Sequence, residues 1–170
     1  MALPPEATTV PSRVGGRMPP YSTAAGKAIL AFGDPGAVEH VLAQGLRPRT
    51  ARTLTGPLAL RAELAAVRER GVAHDRGESF RGIWCVAAPL RGAGRAVAAI
   101  SVSVSSCRGE RELARLGPAV LARARAVWRE LYGPGRAGRA AAGRPRDPRP
   151  KVSEQEMANM MGWLRFSEWM

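Results

Sequence analysis

The sequence predicts a mixed α/β domain of the α+β kind, an antiparallel sheet flanked by helices. Three observations carry that reading. Segments of helical period fill residues 22–70, glycine-bounded segments of strand period follow over 72–105, and one long helical segment closes the pattern at 110–132. At 170 residues the length suits a single domain of about 100–200 residues.

Taken in order, residues 1–20 hold five prolines and the Gly15-Gly16 pair, which predicts an extended lead-in. A first helix is expected at 22–32, capped by Ser22 or Thr23, with Ala25, Ile29 and Phe32 at helical spacing and Gly33 closing it. Asp34-Pro35 restarts a short helix as cap and first residue, burying Val38, Val41 and Leu42. After a connector, Thr55-Gly56-Pro57 opens a helix that runs to Arg70. Leu60, Leu64 and Val67 form its buried stripe, and Gly71 supplies the left-handed residue after it.

Residues 72–75, 83–90 and 96–105 then read as strands. In the third, Ile100, Val102 and Val104 alternate with Ser101, Ser103 and Ser105, so one face is apolar and the other carries hydroxyls. The tight RGAGR turn makes the second and third strands an antiparallel hairpin. A helix over 110–132, with Leu113, Leu116, Val120, Val127 and Leu131 near one stripe, is expected to cover the apolar face. Residues 133–150, rich in Gly, Pro and Arg, read as a disordered linker. Residues 151–170 read as a possible short amphipathic helix with an uncovered Met and Trp patch.

Composition excludes several classes. The formal charge is +12, from 26 basic and 14 acidic residues, and a nucleic-acid partner acting through the arginines is one reading of it. The arginines are spread along the chain, however, and form no compact stripe. No window reaches the roughly 18 apolar residues of a membrane span, so no membrane partner and a cytoplasmic location are expected. Cys85 and Cys107 are too few for a disulfide scaffold and, with His40 and His74, match no zinc spacing, so no metal is expected.

No catalytic constellation is visible. Cys85 sits in an apolar run without a His placed to activate it, which favours a buried inert thiol and argues against an enzyme. Asp75 and Glu78 read as a solvated acidic pair in a glycine-bounded turn, and His74 as a surface or edge residue. The Gly26-Lys27 pair lacks the upstream glycine of a phosphate loop. The serine face is explained by water, but the same hairpin brings Cys85 and Asp75 near those hydroxyls. The first helix opens with the small run Ser22-Thr23-Ala24-Ala25-Gly26, whose main-chain N–H groups suit an anion.

Three segments, RVGGRMPPYSTAAGKAILA from Arg13, TLTGPLALRAELAAVRERGVA from Thr53, and GESFRGIWCVAAPLRGAGRAVAAISVSVS from Gly77, together resemble the effector-binding domain of IclR-type transcriptional regulators. The likeness runs in one register over residues 13–132. It implies a GAF-like fold that binds a small organic or aromatic acid and no cofactor, in a homodimer or homotetramer. It further implies an effector site made of Ala24, Ala25 and Gly26 through their main chain, Asp75, Cys85, and the hydroxyls of Ser101 and Ser103. Trp84, on the opposite face from Cys85, is expected to pack.

Departures from the family pattern shape two further expectations. The winged helix-turn-helix through which such regulators hold DNA is not in this sequence, and the sheet is expected to lack its first one or two strands, leaving an unpaired edge. A remnant without DNA binding is therefore the alternative to a working sensor.

Overall fold

The computed structural model describes residues 16–132. The expected linker at 133–150, the expected helix at 151–170 and most of the lead-in lie outside the described residues. Four α-helices and three strands follow in the order α1 (Ala24–Phe32), α2 (Pro35–Ala43), α3 (Pro57–Arg70), β1 (Ala73–Arg76), β2 (Ile83–Leu90), β3 (Ala98–Ser105) and α4 (Gly109–Tyr132).

Local signals account for most element ends. Asp34 caps α2 by accepting Gly36 N–H at 3.0 Å, with Pro35 as first helical residue. Gly71 ends α3 in the left-handed conformation at φ 76°, its N–H bonded to the Val67 carbonyl, a backbone region that Cβ-bearing residues avoid. Leu60, Leu64 and Val67 are fully buried, as their spacing requires. Each contributes about 1.5–3 kcal/mol by leaving water.

The sheet is antiparallel in the order β1-β2-β3. Its two faces differ in what covers them. Val86, Ala88, Ile100, Val102 and Val104 pack with Leu113, Leu116, Val120 and Ala124 of α4, so the expected cover of the apolar face forms. On the other side Ala73, Ala87, Cys85 and Ala99 join the core of α1, α2 and α3.

Several expectations are corrected. In α1 the buried stripe is Ala24, Lys27, Ala28 and Ala31 with Leu30, whereas Ile29 is exposed; the helix lies so close to the sheet that alanines, not large side chains, face it. Leu131 on α4 is half-exposed, because the helix extends past the sheet's apolar face. β3 begins at Ala98, since Ala96 N–H is turned away to the Phe32 carbonyl at 2.8 Å. Pro118, which the helical pattern did not announce, sits inside α4 on its exposed side.

Candidate functional site

The N-terminus of α1 and the sheet face beneath it bring the sequence-derived residues into one neighbourhood. Thr23 is extended and turns its hydroxyl back to accept Gly26 N–H at 3.0 Å. That engages Gly26, so among the described residues the open main-chain donors of the first turn are those of Ala24 and Ala25. Gly26 has a different task. A Cβ there would stand well under 3.0 Å from the Pro20 Cα and carbonyl oxygen, so only glycine lets the incoming chain cross the helix this closely.

Strand register does the rest. Asp75 pairs with Cys85 and Cys85 with Ser103, which lines the three up as one row across the sheet on the α1 side. Ser101 stands in the adjoining row, opposite Ala87, itself opposite Ala73. The Cys85 Sγ and Ser103 Oγ are 3.1 Å apart. Ser101 and Ser103 are exposed, Cys85 is half-buried and Asp75 is buried. Burial pushes the Cys85 thiol up, against the pull of Ser103, so it stays a neutral thiol.

Asp75 is no solvated turn residue. Its Oδ1 accepts the main-chain N–H groups of Glu78 at 2.7 Å and Ser79 at 3.4 Å, folding the 77–79 loop over the end of the site. Burial raises its carboxyl nonetheless, outweighing those two bonds. Ser79 then donates to the Ser22 carbonyl at 2.7 Å, and its Oγ lies 3.1 Å from Ser22 Oγ, tying the loop to the entry of α1.

Glu78 also departs from expectation. It is buried, with Oε1 2.7 Å from Lys27 Nζ and Oε2 without a partner. Lys27, itself fully buried, reaches Glu63 of α3 at 3.4 Å, and Glu63 takes Arg70 at 3.2 Å. Burial raises the Glu78 carboxyl, with Lys27 opposing. This brace between α1, α3 and the loop was not assigned from the sequence. The Gly-Lys pair and the Asp-x-x-Glu-Ser run were its only traces. His74, on the other face of β1, is buried rather than superficial. Burial, then the cations Arg76 and Arg70, lower its pKa to about 4.

Together these elements present two helix N-terminal N–H groups, two exposed hydroxyls and a buried carboxyl at one edge of an apolar floor. Among the described residues no group of His, Cys, Asp and Glu could hold a metal.

The family model for the bacterial transcriptional regulator IclR C-terminal region matches residues 3–129. The chain belongs to the IclR family. Its relatives are named as transcriptional regulators and not as enzymes. The HTH-type transcriptional regulator Rv1719 of Mycobacterium tuberculosis is 42% identical over 120 residues, which are 71% of this chain and 46% of that protein. The DNA-binding transcriptional repressor YiaJ of Escherichia coli is 38% identical over 108 residues, covering 59% and 38%. This IclR-family chain thus spans less than half the length of both.

Solved structures agree. The Agrobacterium tumefaciens repressor BlcR superposes at a TM-score of 0.66 and 33% identity, over 72% of this chain and 51% of that one. An IclR homologue from Microbacterium hydrocarbonoxydans, solved in complex with 4-hydroxybenzoate, gives 0.66 at 26% identity over 74% and 52%. The sheet and helices described above are therefore those of an IclR C-terminal domain. No helix among the described residues is long and apolar enough to cross a membrane.

Proposed function

We propose that this IclR C-terminal domain is a sensor for a small carboxylate, bound between the α1 N-terminus and the hydroxyl-bearing sheet face. The carboxylate accepts from Ala24 and Ala25 N–H, and Ser101 and Ser103 donate to its polar remainder. Asp75 accepts from a ligand hydroxyl directly or through water, and Cys85 lines the floor. The single observation that carries this reading is the cross-strand row Asp75, Cys85, Ser103 with α1 on the same side. The complex of the Microbacterium homologue with 4-hydroxybenzoate lends it a ligand of the right chemistry.

No bond is made or broken in this reading. Ligand bound more tightly by one arrangement of a homodimer or homotetramer shifts the population toward it, and DNA held through a winged helix elsewhere in the regulator responds. A thermal-shift panel of 4-hydroxybenzoate, benzoate and short 2-oxo acids on the purified chain tests the site. At a ligand concentration about a hundredfold above Kd the stabilisation is about 2.7 kcal/mol. The double substitution Ser101→Ala/Ser103→Ala abolishes the shift if these hydroxyls hold the ligand. An equal shift in both proteins removes the site.

A further inference from the structure

The buried charges beside the α1 N-terminus do not balance. Lys27 Nζ, fully buried, lies 2.7 Å from Glu78 Oε1 and 3.4 Å from Glu63 Oε1, so one ammonium is divided between two carboxylates. Glu63 has a second cation in the partly exposed Arg70 at 3.2 Å. Glu78 has Lys27 alone, and its buried Oε2 has no partner. Asp75 is placed worse still. It is buried, it pairs with no cation among the described residues, and its Oδ1 is held only by the main-chain N–H groups of Glu78 and Ser79.

Nothing else packed around Asp75 supplies the missing charge. Cys85, its partner on β2, carries a neutral thiol, and Ser22 and Ser79 bring hydroxyls. Thr50 and Thr53 donate to the carbonyls of Gly77 and Glu78. His74 and Arg76 flank Asp75 in sequence but lie on the opposite face of β1, where Arg76 pairs with Glu110.

An effector carboxylate at Ala24 and Ala25 arrives next to this surplus. Ser79, whose N–H Asp75 accepts, donates its hydroxyl to the carbonyl of Ser22, two residues ahead of Ala24. A further negative charge among buried groups disfavours ionisation of the carboxyl that is least compensated. That carboxyl is Asp75, which burial already pushes up.

We propose that the site takes up its carboxylate together with one proton, which Asp75 Oδ2 holds in the complex. The proton comes from solvent, and the only covalent bond formed is Oδ2–H. Oδ1 keeps its two N–H donors, and a protonated carboxyl retains acceptor capacity, so the contact with a ligand hydroxyl survives. Proton uptake rests on the carboxylate reading and makes the site sensitive to acidity: at a fixed ligand concentration, occupancy rises as pH falls. A full proton taken up per ligand lowers Kd tenfold for each pH unit of acidification.

Titration calorimetry of the full chain with 4-hydroxybenzoate and with pyruvate, in two buffers of different ionisation enthalpy at about pH 6.5, counts the protons. Uptake approaching one proton per ligand is expected, with Kd at about pH 5.5 at least tenfold below its value at about pH 7.5. Ligand carboxyls, which titrate near or below about 4, stay ionised over that range, and His74, with its pKa at about 4, stays neutral.

Asp75→Asn keeps the Oδ1 acceptor and imitates the protonated carboxyl. It is expected to bind at about pH 7.5 as tightly as wild type does at about pH 5.5, without proton uptake. Infrared difference spectra of wild type with and without ligand test the same point should that variant not fold. A protonated-carboxyl C=O band is expected on binding, and its absence overturns the proposal. Binding without proton uptake, or uptake undiminished in Asp75→Asn, also overturns it and leaves the carboxylate reading intact. Failure of both acids and of every other acid in the thermal-shift panel to bind overturns that reading and the proton uptake together.

Discussion

Lys27 Nζ and Glu78 Oε1 meet at 2.7 Å inside the protein, joining α1 to the loop that follows β1, and both side chains are buried. The pair sits one helical turn from the main-chain donors of the α1 N-terminus, so it positions the helix that the proposed ligand would meet. Removing one partner from a buried pair strands the other charge, at a cost of about 3–5 kcal/mol. Lys27→Met is therefore expected to lower unfolding stability by that amount in urea titration. Lys27→Met/Glu78→Leu is expected to recover at least half of it, because both desolvation penalties vanish and Glu78 Oε2 is no longer orphaned. A double variant no more stable than the single one would show that Glu78 is not left as a stranded buried charge when Lys27 is removed.

Gly26 predicts the reverse of the usual helix substitution. In an exposed helix interior Gly→Ala gains about 1 kcal/mol from propensity. Here the Cβ would overlap the Pro20 main chain, which has no flexible end to yield. Gly26→Ala is expected to lose about 1–3 kcal/mol, the range for forced overpacking, in the same urea titration. A stabilised variant would mean that residues 19–21 leave the helix readily.

Much of this fold was legible because its signals are local. Leu60, Leu64 and Val67 declare a buried stripe by spacing alone, and Thr23, Asp34 and Gly71 mark helix ends through their own side chains or their lack of one. The alternation of Ile100 to Ser105 correctly gave β3 its two faces. What local pattern cannot hold is pairing across distance. Glu78 finds Lys27 over 51 residues, so a glycine-bounded acidic residue looked solvated when it is buried. The row Asp75, Cys85, Ser103 needs the register of both strand pairs; the hairpin pattern brought Cys85 and Asp75 near the serines only loosely, and it was the family resemblance that implied a site there. His74, read as a surface or edge residue, does lie on an edge strand of the described sheet, but its side chain is buried, which a single residue beside the polar Asp75 and Arg76 could not announce.

The two cysteines should separate by reactivity. Cys107 is exposed, its Sγ 3.1 Å from Ser105 Oγ, while Cys85 is half-buried with its thiol pushed up by desolvation. Only a thiolate attacks an alkylating reagent. Brief treatment with iodoacetamide at about pH 8, read by mass spectrometry of peptides, is expected to label Cys107 faster by on the order of tenfold. Comparable labelling would mean that the site floor opens to solvent more than the packing of Cys85 implies.

His74 sets the acid limit of the fold. Its pKa falls from 6.5 to about 4, through burial first and then the nearby cations Arg76 and Arg70, with Glu110 and Glu63 opposing. Between those values the unfolded chain binds the proton and the native one does not, so native stability rises with pH across about 4 to 6.5 and is lost on acidification through that window. Each pH unit crossed inside that window is worth about 1.4 kcal/mol, so moving from about pH 7 to about pH 5 is expected to cost about 2 kcal/mol. Asp75 and Glu78 act in the opposite sense. Their carboxyls are raised, so the native state holds their protons longer and their contribution declines as pH rises out of the carboxylate range. Urea midpoints at those two pH values for wild type and His74→Leu separate the two effects. The variant is expected to lose most of the decline seen in wild type on acidification. An unchanged slope would assign the acid sensitivity to groups other than His74.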